Sequence, residues 1–107
     1  MPFDLSPEVL NLSLLIAYQA DAIVSRQLLR AEGGNITLFA FAQGQELSEH
    51  TTPYHAFVQI LDGEADITIA GQHFHLWKGQ AILLPANQPH AVKAASPFKM
   101  LLTMVKP

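Results

Sequence analysis

At 107 residues, with a net charge of −3 and only six Lys and Arg, the chain has room for one domain and one core and too few cations for nucleic acid. It has no cysteine, which excludes disulfides, thiol chemistry and thiolate ligands, so any metal would be held by nitrogen and oxygen donors. No run of 18 apolar residues is present to span a membrane, and the opening Met1-Pro2-Phe3-Asp4-Leu5-Ser6 lacks the basic segment of a signal peptide, so a cytoplasmic location is expected.

Ser6-Pro7-Glu8 reads as a helix start, with Ser at the cap, Pro at the first position and an acid near the positive end of the helix dipole. A short helix is predicted from there to about Leu12. Leu14 to Tyr18 is apolar and fits no single period. The remainder reads as strands. Ala22 to Arg30 alternates weakly, and Gly33-Gly34-Asn35 is a hairpin turn into Ile36 to Phe41. Phe57 to Leu61 is predicted to end at a turn, Asp62-Gly63. Ala65 to Ile69 alternates, with Ile67 and Ile69 on one face and Asp66 and Thr68 on the other. Ala70-Gly71 turns the chain into His73 to Trp77. Ala81 to Leu84, His90 to Ala94 and Phe98 to Val105 complete the set. Many short strands at close spacing indicate an all-β sandwich or barrel. There is no repeat or linker, so the chain is expected to form a single domain over 1–107, with an N-terminal arm over 1–20 and a β-barrel over 21–107.

Two stretches carry more than strand pattern. Gly44, His50 and Gly63 frame the first, and Gly79, Pro85 and His90 the second. Residue types and spacing together resemble the two motifs of the cupin superfamily, over roughly residues 36 to 104. The first motif has a second His and a Glu where this chain has Thr52 and Ala56. The second has a Gly and an Asn where this chain has Asn87 and Ala94. Asn87 is the milder departure, because Asn tolerates positive φ better than most residues. The resemblance is to a small single-domain cupin of the conserved-barrel, RmlC-like kind. It implies an all-β double-stranded β-helix, the cupin jelly roll, with a short N-terminal helix. It also implies a divalent metal ion (Fe, Mn, Ni, Zn or Cu) held by histidines at the barrel mouth, and a small-molecule ligand.

On that resemblance His50 and His90 occupy ligand positions. Strict alternation back from Gly63 turns Ala56 inward and His55 outward. Pro53 breaks the ladder and invites a bulge, which would turn His55 inward as a third nitrogen ligand; both orientations stay open. His73 and His75 flank Phe74 on one strand and are expected to form a solvated or interface pair, with Phe74 and Leu76 facing the core. Glu46 and Glu49 could serve as ligand or general base, or be solvated loop acids. Gln59 could reach a cavity or an interface. Tyr54 and Trp77 could wall a pocket or fill the core.

The sequence identifies no catalytic residue. The first functional expectation is a small bacterial-type cupin of undefined activity, binding a divalent ion through His50, His90 and His55, with open positions suited to Lewis-acid or oxygen chemistry on a small acid or sugar-like molecule. The alternative is a non-catalytic module that senses or stores a small molecule after losing the metal site. A third reading is an interaction domain. With 14% charged and 50% apolar residues, some apolar surface is expected to be buried in a homodimer, with Leu10 to Tyr18 either in that contact or capping its own barrel.

Overall fold

The computed structural model describes residues 5–107 and shows an all-β fold. Its eight strands are β1 (Ile23–Ala31), β2 (Gly34–Phe41), β3 (Glu46–His50), β4 (His55–Ile69), β5 (Gln72–Trp77), β6 (Ala81–Leu84), β7 (His90–Lys93) and β8 (Phe98–Val105). All pairings are antiparallel. The first sheet runs β1-β2-β8-β4-β6 and the second runs β5-β4-β7-β3. No helix among the described residues is long and apolar enough to cross a membrane.

Strand β4 belongs to both sheets. It pairs with β8 and β6 through Gly63, then with β5 and β7 from Glu64 onward. The turn expected at Asp62-Gly63 is therefore a bend inside one continuous strand. A bulge lies between Ile60 and Asp62 where β4 pairs with β8, and Gly63 takes φ +71°. A Cβ on Gly63 would sit 2.1 Å from the Pro97 carbonyl oxygen, so the corner accepts only glycine. The extra residue also shifts the inward phase. Ala56, Val58 and Ile60 face the core before the corner, and Ala65 and Ile67 after it.

The core lies between the sheets. Phe41 and Phe98 stack at its centre with ring centroids 4.5 Å apart, and Val58, Ile60, Ile67, Leu76 and Val92 pack around them. Asp66 and Thr68 point outward as the alternation predicted.

The predicted N-terminal helix is reduced to a single 3₁₀ turn at Leu12–Leu14, with no side-chain cap on Asn11. The Ser6-Pro7 start carries no helix: Leu5 and Val9 are 73% and 95% exposed, and so short a helix is unstable without tertiary contacts. The segment after the turn lies on the outer face of the first sheet. Ile16 is buried there against Leu38 and Ala40. Three side chains pin it: Lys99 Nζ donates to the Ser13 carbonyl at 2.6 Å, Arg26 donates to the Leu15 carbonyl at 3.2 Å, and the Tyr18 hydroxyl donates to Asp62. Burial, with Asp62 adding to it, pushes the Tyr18 phenol above its ordinary range. The arm thus caps its own barrel.

Candidate metal and ligand site

A cavity of about 300 Å³ opens between the sheets, and His50, Thr52 and His90 stand among its lining residues. Two backbone features bring them together. Asn87 takes φ +66° and donates its N–H to the Thr52 carbonyl at 2.8 Å, tying the two motif loops to each other. A bulge in β3 then sets His50 opposite His90 in the β3–β7 pairing. The two imidazoles meet edge to face, with ring centroids 4.3 Å apart and planes at 62°.

Their backbone contacts decide which nitrogens are available. His50 Nδ1 lies 2.8 Å from the Ser48 carbonyl oxygen, and His90 Nδ1 lies 3.2 Å from that of Gln88. A carbonyl oxygen can only accept, so each Nδ1 carries the hydrogen. In the neutral rings both Nε2 atoms then keep a lone pair. This is the arrangement that orients metal-ligating histidines. Burial pushes the His90 imidazolium below its ordinary range; the Gln88 carbonyl opposes that shift and the nearby His50 adds to it.

The other predicted residues lie elsewhere. His55 does not join the pair. Ala56 pairs with Leu84 and Met104 in an unbroken register and faces the cavity, so His55 faces outward and is exposed. Pro53 lies before β4 begins and leaves that register intact. His55 Nδ1 also accepts the Ala86 N–H at 3.0 Å, which occupies the lone pair a metal would need. Glu46 and Glu49 are exposed and do not line the cavity. Tyr54 lies beside Lys106 and Pro107, Gln59 is on the outward face, and Trp77 is 53% exposed.

His73 and His75 stand on the outer face of the second sheet, as expected. His73 Nδ1 lies 3.2 Å from the Thr68 hydroxyl. His75 bridges two carboxylates, Nδ1 to Asp66 and Nε2 to Glu64, both at 2.7 Å. Carboxylates only accept, so both nitrogens are protonated in this geometry. The Asp66 contact, followed by the Glu64 contact, raises the pKa of this imidazole. A ring so engaged has no lone pair for a metal.

The model of the cupin domain matches residues 37–105. The chain is a cupin. Solved structures agree with that membership. A protein of unknown function from Streptococcus pyogenes is 38% identical, with a TM-score of 0.90, over 97% of this chain and 91% of that one. A cupin superfamily protein from Desulfitobacterium hafniense is 30% identical, with a TM-score of 0.89, over 95% and 94% of the two chains. A cupin 2 conserved barrel protein from Leptotrichia buccalis is 40% identical over 91% of this cupin, which spans about half (47%) of that longer chain. No curated protein matches the sequence.

Sequence reasoning missed the character of the cavity. Phe39, Met100, Leu102 and Met104 line it together with Val58 and Leu84. The signal was available, because Met100, Leu102 and Met104 alternate along one strand. Which face they shared was set by the β2–β8–β4 pairing.

Proposed function

We propose that this cupin binds one divalent metal ion through Nε2 of His50 and Nε2 of His90, and a small molecule in the cavity beside them. The observation that supports this is the matched pair of Nδ1–H bonds to the Ser48 and Gln88 carbonyls, which frees both Nε2 lone pairs at one cavity. The donor set suits a borderline ion such as Zn, Ni or Cu in two of its positions. Among the described residues no group of three or more His, Cys, Asp or Glu is arranged to hold a metal ion, so water or the ligand would supply the remaining donors. A bound ion would supply Lewis-acid polarisation of a ligand oxygen.

Titration of metal-free protein with Zn²⁺ in a calorimeter tests the proposal. One ion per chain is expected for the wild type, with loss of that binding in both His50→Ala and His90→Ala. Unchanged binding in either variant would refute it.

A second reading is favoured by Thr52 and Ala56 at the positions where the family motif carries ligands. On that reading the cavity binds its small molecule without a metal. We also propose a homodimer through the outer face of the first sheet. Phe57 and Leu83 lie opposite each other there, 38% and 71% exposed, on the part of the face the arm leaves uncovered.

A further inference from the structure

We infer that the ligand of this cavity is a compact molecule with an apolar body and a single oxygen head group, and not the polyhydroxylated molecule that the family resemblance alone would allow. The inference rests on the cavity being the ligand site. It does not require the metal.

The two walls differ in kind. The wall built from the first sheet carries Phe39, Val58, Leu84, Met100, Leu102 and Met104, with Ala56 between them, and these side chains offer an oxygen-rich ligand nothing beyond the weak thioether acceptors of the two methionines. The facing side supplies the polar groups, His50, Thr52 and His90, next to Leu47 and Val92. No Lys, Arg, Asp or Glu lines the cavity among the described residues. A sugar would turn several hydroxyls toward the apolar wall, where each would lose its water without gaining a partner. A molecule with one polar end and an apolar remainder satisfies both walls.

Size narrows the class further. An apolar cavity of about 150 Å³ holds benzene. This one is about 300 Å³, which suits a ring with a short side chain or a short aliphatic chain. Met100 and Met104 are unbranched and adjust to irregular shapes, so the wall sets polarity more strictly than outline.

The histidine tautomers set the head group. With Nδ1–H committed to the backbone, His50 and His90 present Nε2 lone pairs, which accept and do not donate. Without a metal ion, two of the three polar groups accept only and the Thr52 hydroxyl alone can donate, so the site favours a head that itself donates, an alcohol or phenol O–H. A carboxylate head meets one donor, the Thr52 hydroxyl, but none on the two rings and no cation unless a metal ion lies on them.

The test uses three probes of similar size: 3-phenyl-1-propanol, 3-phenylpropanoate and D-glucose. Each is titrated into metal-free and Zn²⁺-supplemented wild-type protein, followed by the ¹³C-methyl resonances of Met100 and Met104. Both methyl signals are expected to shift saturably with the alcohol in metal-free protein, at a Kd of about 1 mM or tighter. The carboxylate should do the same only with Zn²⁺, and glucose should not shift them in either state. Failure of Zn²⁺ to promote carboxylate binding, with the alcohol still bound and no Zn²⁺ uptake by calorimetry, would sink the metal proposal and leave this inference standing. Glucose shifting both methyls, or neither phenylpropyl probe doing so, would overturn the inference itself.

Discussion

His50 faces His90 because strand β3 carries one extra residue. Between the Leu47–Val92 and His50–His90 pairings, β3 advances three residues (47 to 50) while β7 advances two (92 to 90). A regular ladder would continue the alternation from Leu47, turn Glu49 inward, and leave a carboxylate beside His90. The bulge replaces that carboxylate with an imidazole. It converts a mixed His–Glu pair into a two-nitrogen site.

Acid should weaken metal binding and the fold together. A protonated imidazole cannot coordinate, and burial lowers the His90 pKa, so affinity should fall below about pH 6.5, as pH drops toward the depressed His90 value. For stability the sign follows from burial. His90 binds a proton less readily folded than unfolded, so the unfolded state takes up more protons just below pH 6.5. Its contribution is complete above that pH and is lost as pH falls toward the depressed folded value. Thermal melts of metal-free protein from pH 7 to 5 should show this loss, and His90→Gln should reduce it. The exposed Asp66–His75–Glu64 bridge has the opposite sign, because its stabilisation is full below pH 6.5 and fades as pH rises through the raised His75 value. High salt screens that bridge and isolates the His90 effect. Metal retention unchanged down to pH 4 would point to carboxylate ligands instead.

Gly63→Ala should be among the most damaging single substitutions. It combines a left-handed backbone with a Cβ placed 2.1 Å from the Pro97 oxygen and 3.0 Å from the Phe98 Cα. A loss of about 3 kcal/mol or more is expected, at about 4–8 °C of Tm per kcal/mol for a domain of this size. Gly79→Ala has a similar φ of +92° but nothing within 4 Å, so it should cost the backbone strain alone. Equal Tm losses would show that the close approach at β4's corner is not what demands glycine.

The dimer proposal predicts a mass near twice 11.7 kDa by light scattering at micromolar concentration. Phe57→Lys with Leu83→Glu should shift the mass toward a single chain while the melting transition stays cooperative. A single-chain mass for the wild type would contradict the proposal.

Much of this architecture was legible because its signals are local. Gly79, Pro85 and His90 marked a turn, a corner and a strand start, and the Ala65 to Ile69 alternation separated the two faces of that strand correctly. The failures inside the barrel share a cause, which is that strand course and register are settled by partners remote in sequence. Asp62-Gly63 looks like a turn, yet β4 runs through it because β8 pairs on one side and β5 and β7 on the other. The sequence left His55 open to either face, and the Leu84 and Met104 pairings of Ala56 turned it outward. The bulge that placed His50 leaves no mark in hydropathy, since Ser48 and Glu49 read as any exposed pair.

The claim that His50 and His90 share one ion is tested most directly by Cu²⁺ electron paramagnetic resonance on the full chain. At one equivalent, pulsed spectra of the wild type should show the remote nitrogens of two coordinated imidazoles. A His73→Ala, His75→Ala double variant should give the same spectrum. His90→Ala should leave one imidazole at most. A wild-type spectrum that loses its imidazole signals in the His73, His75 variant and keeps them in His90→Ala would contradict the account.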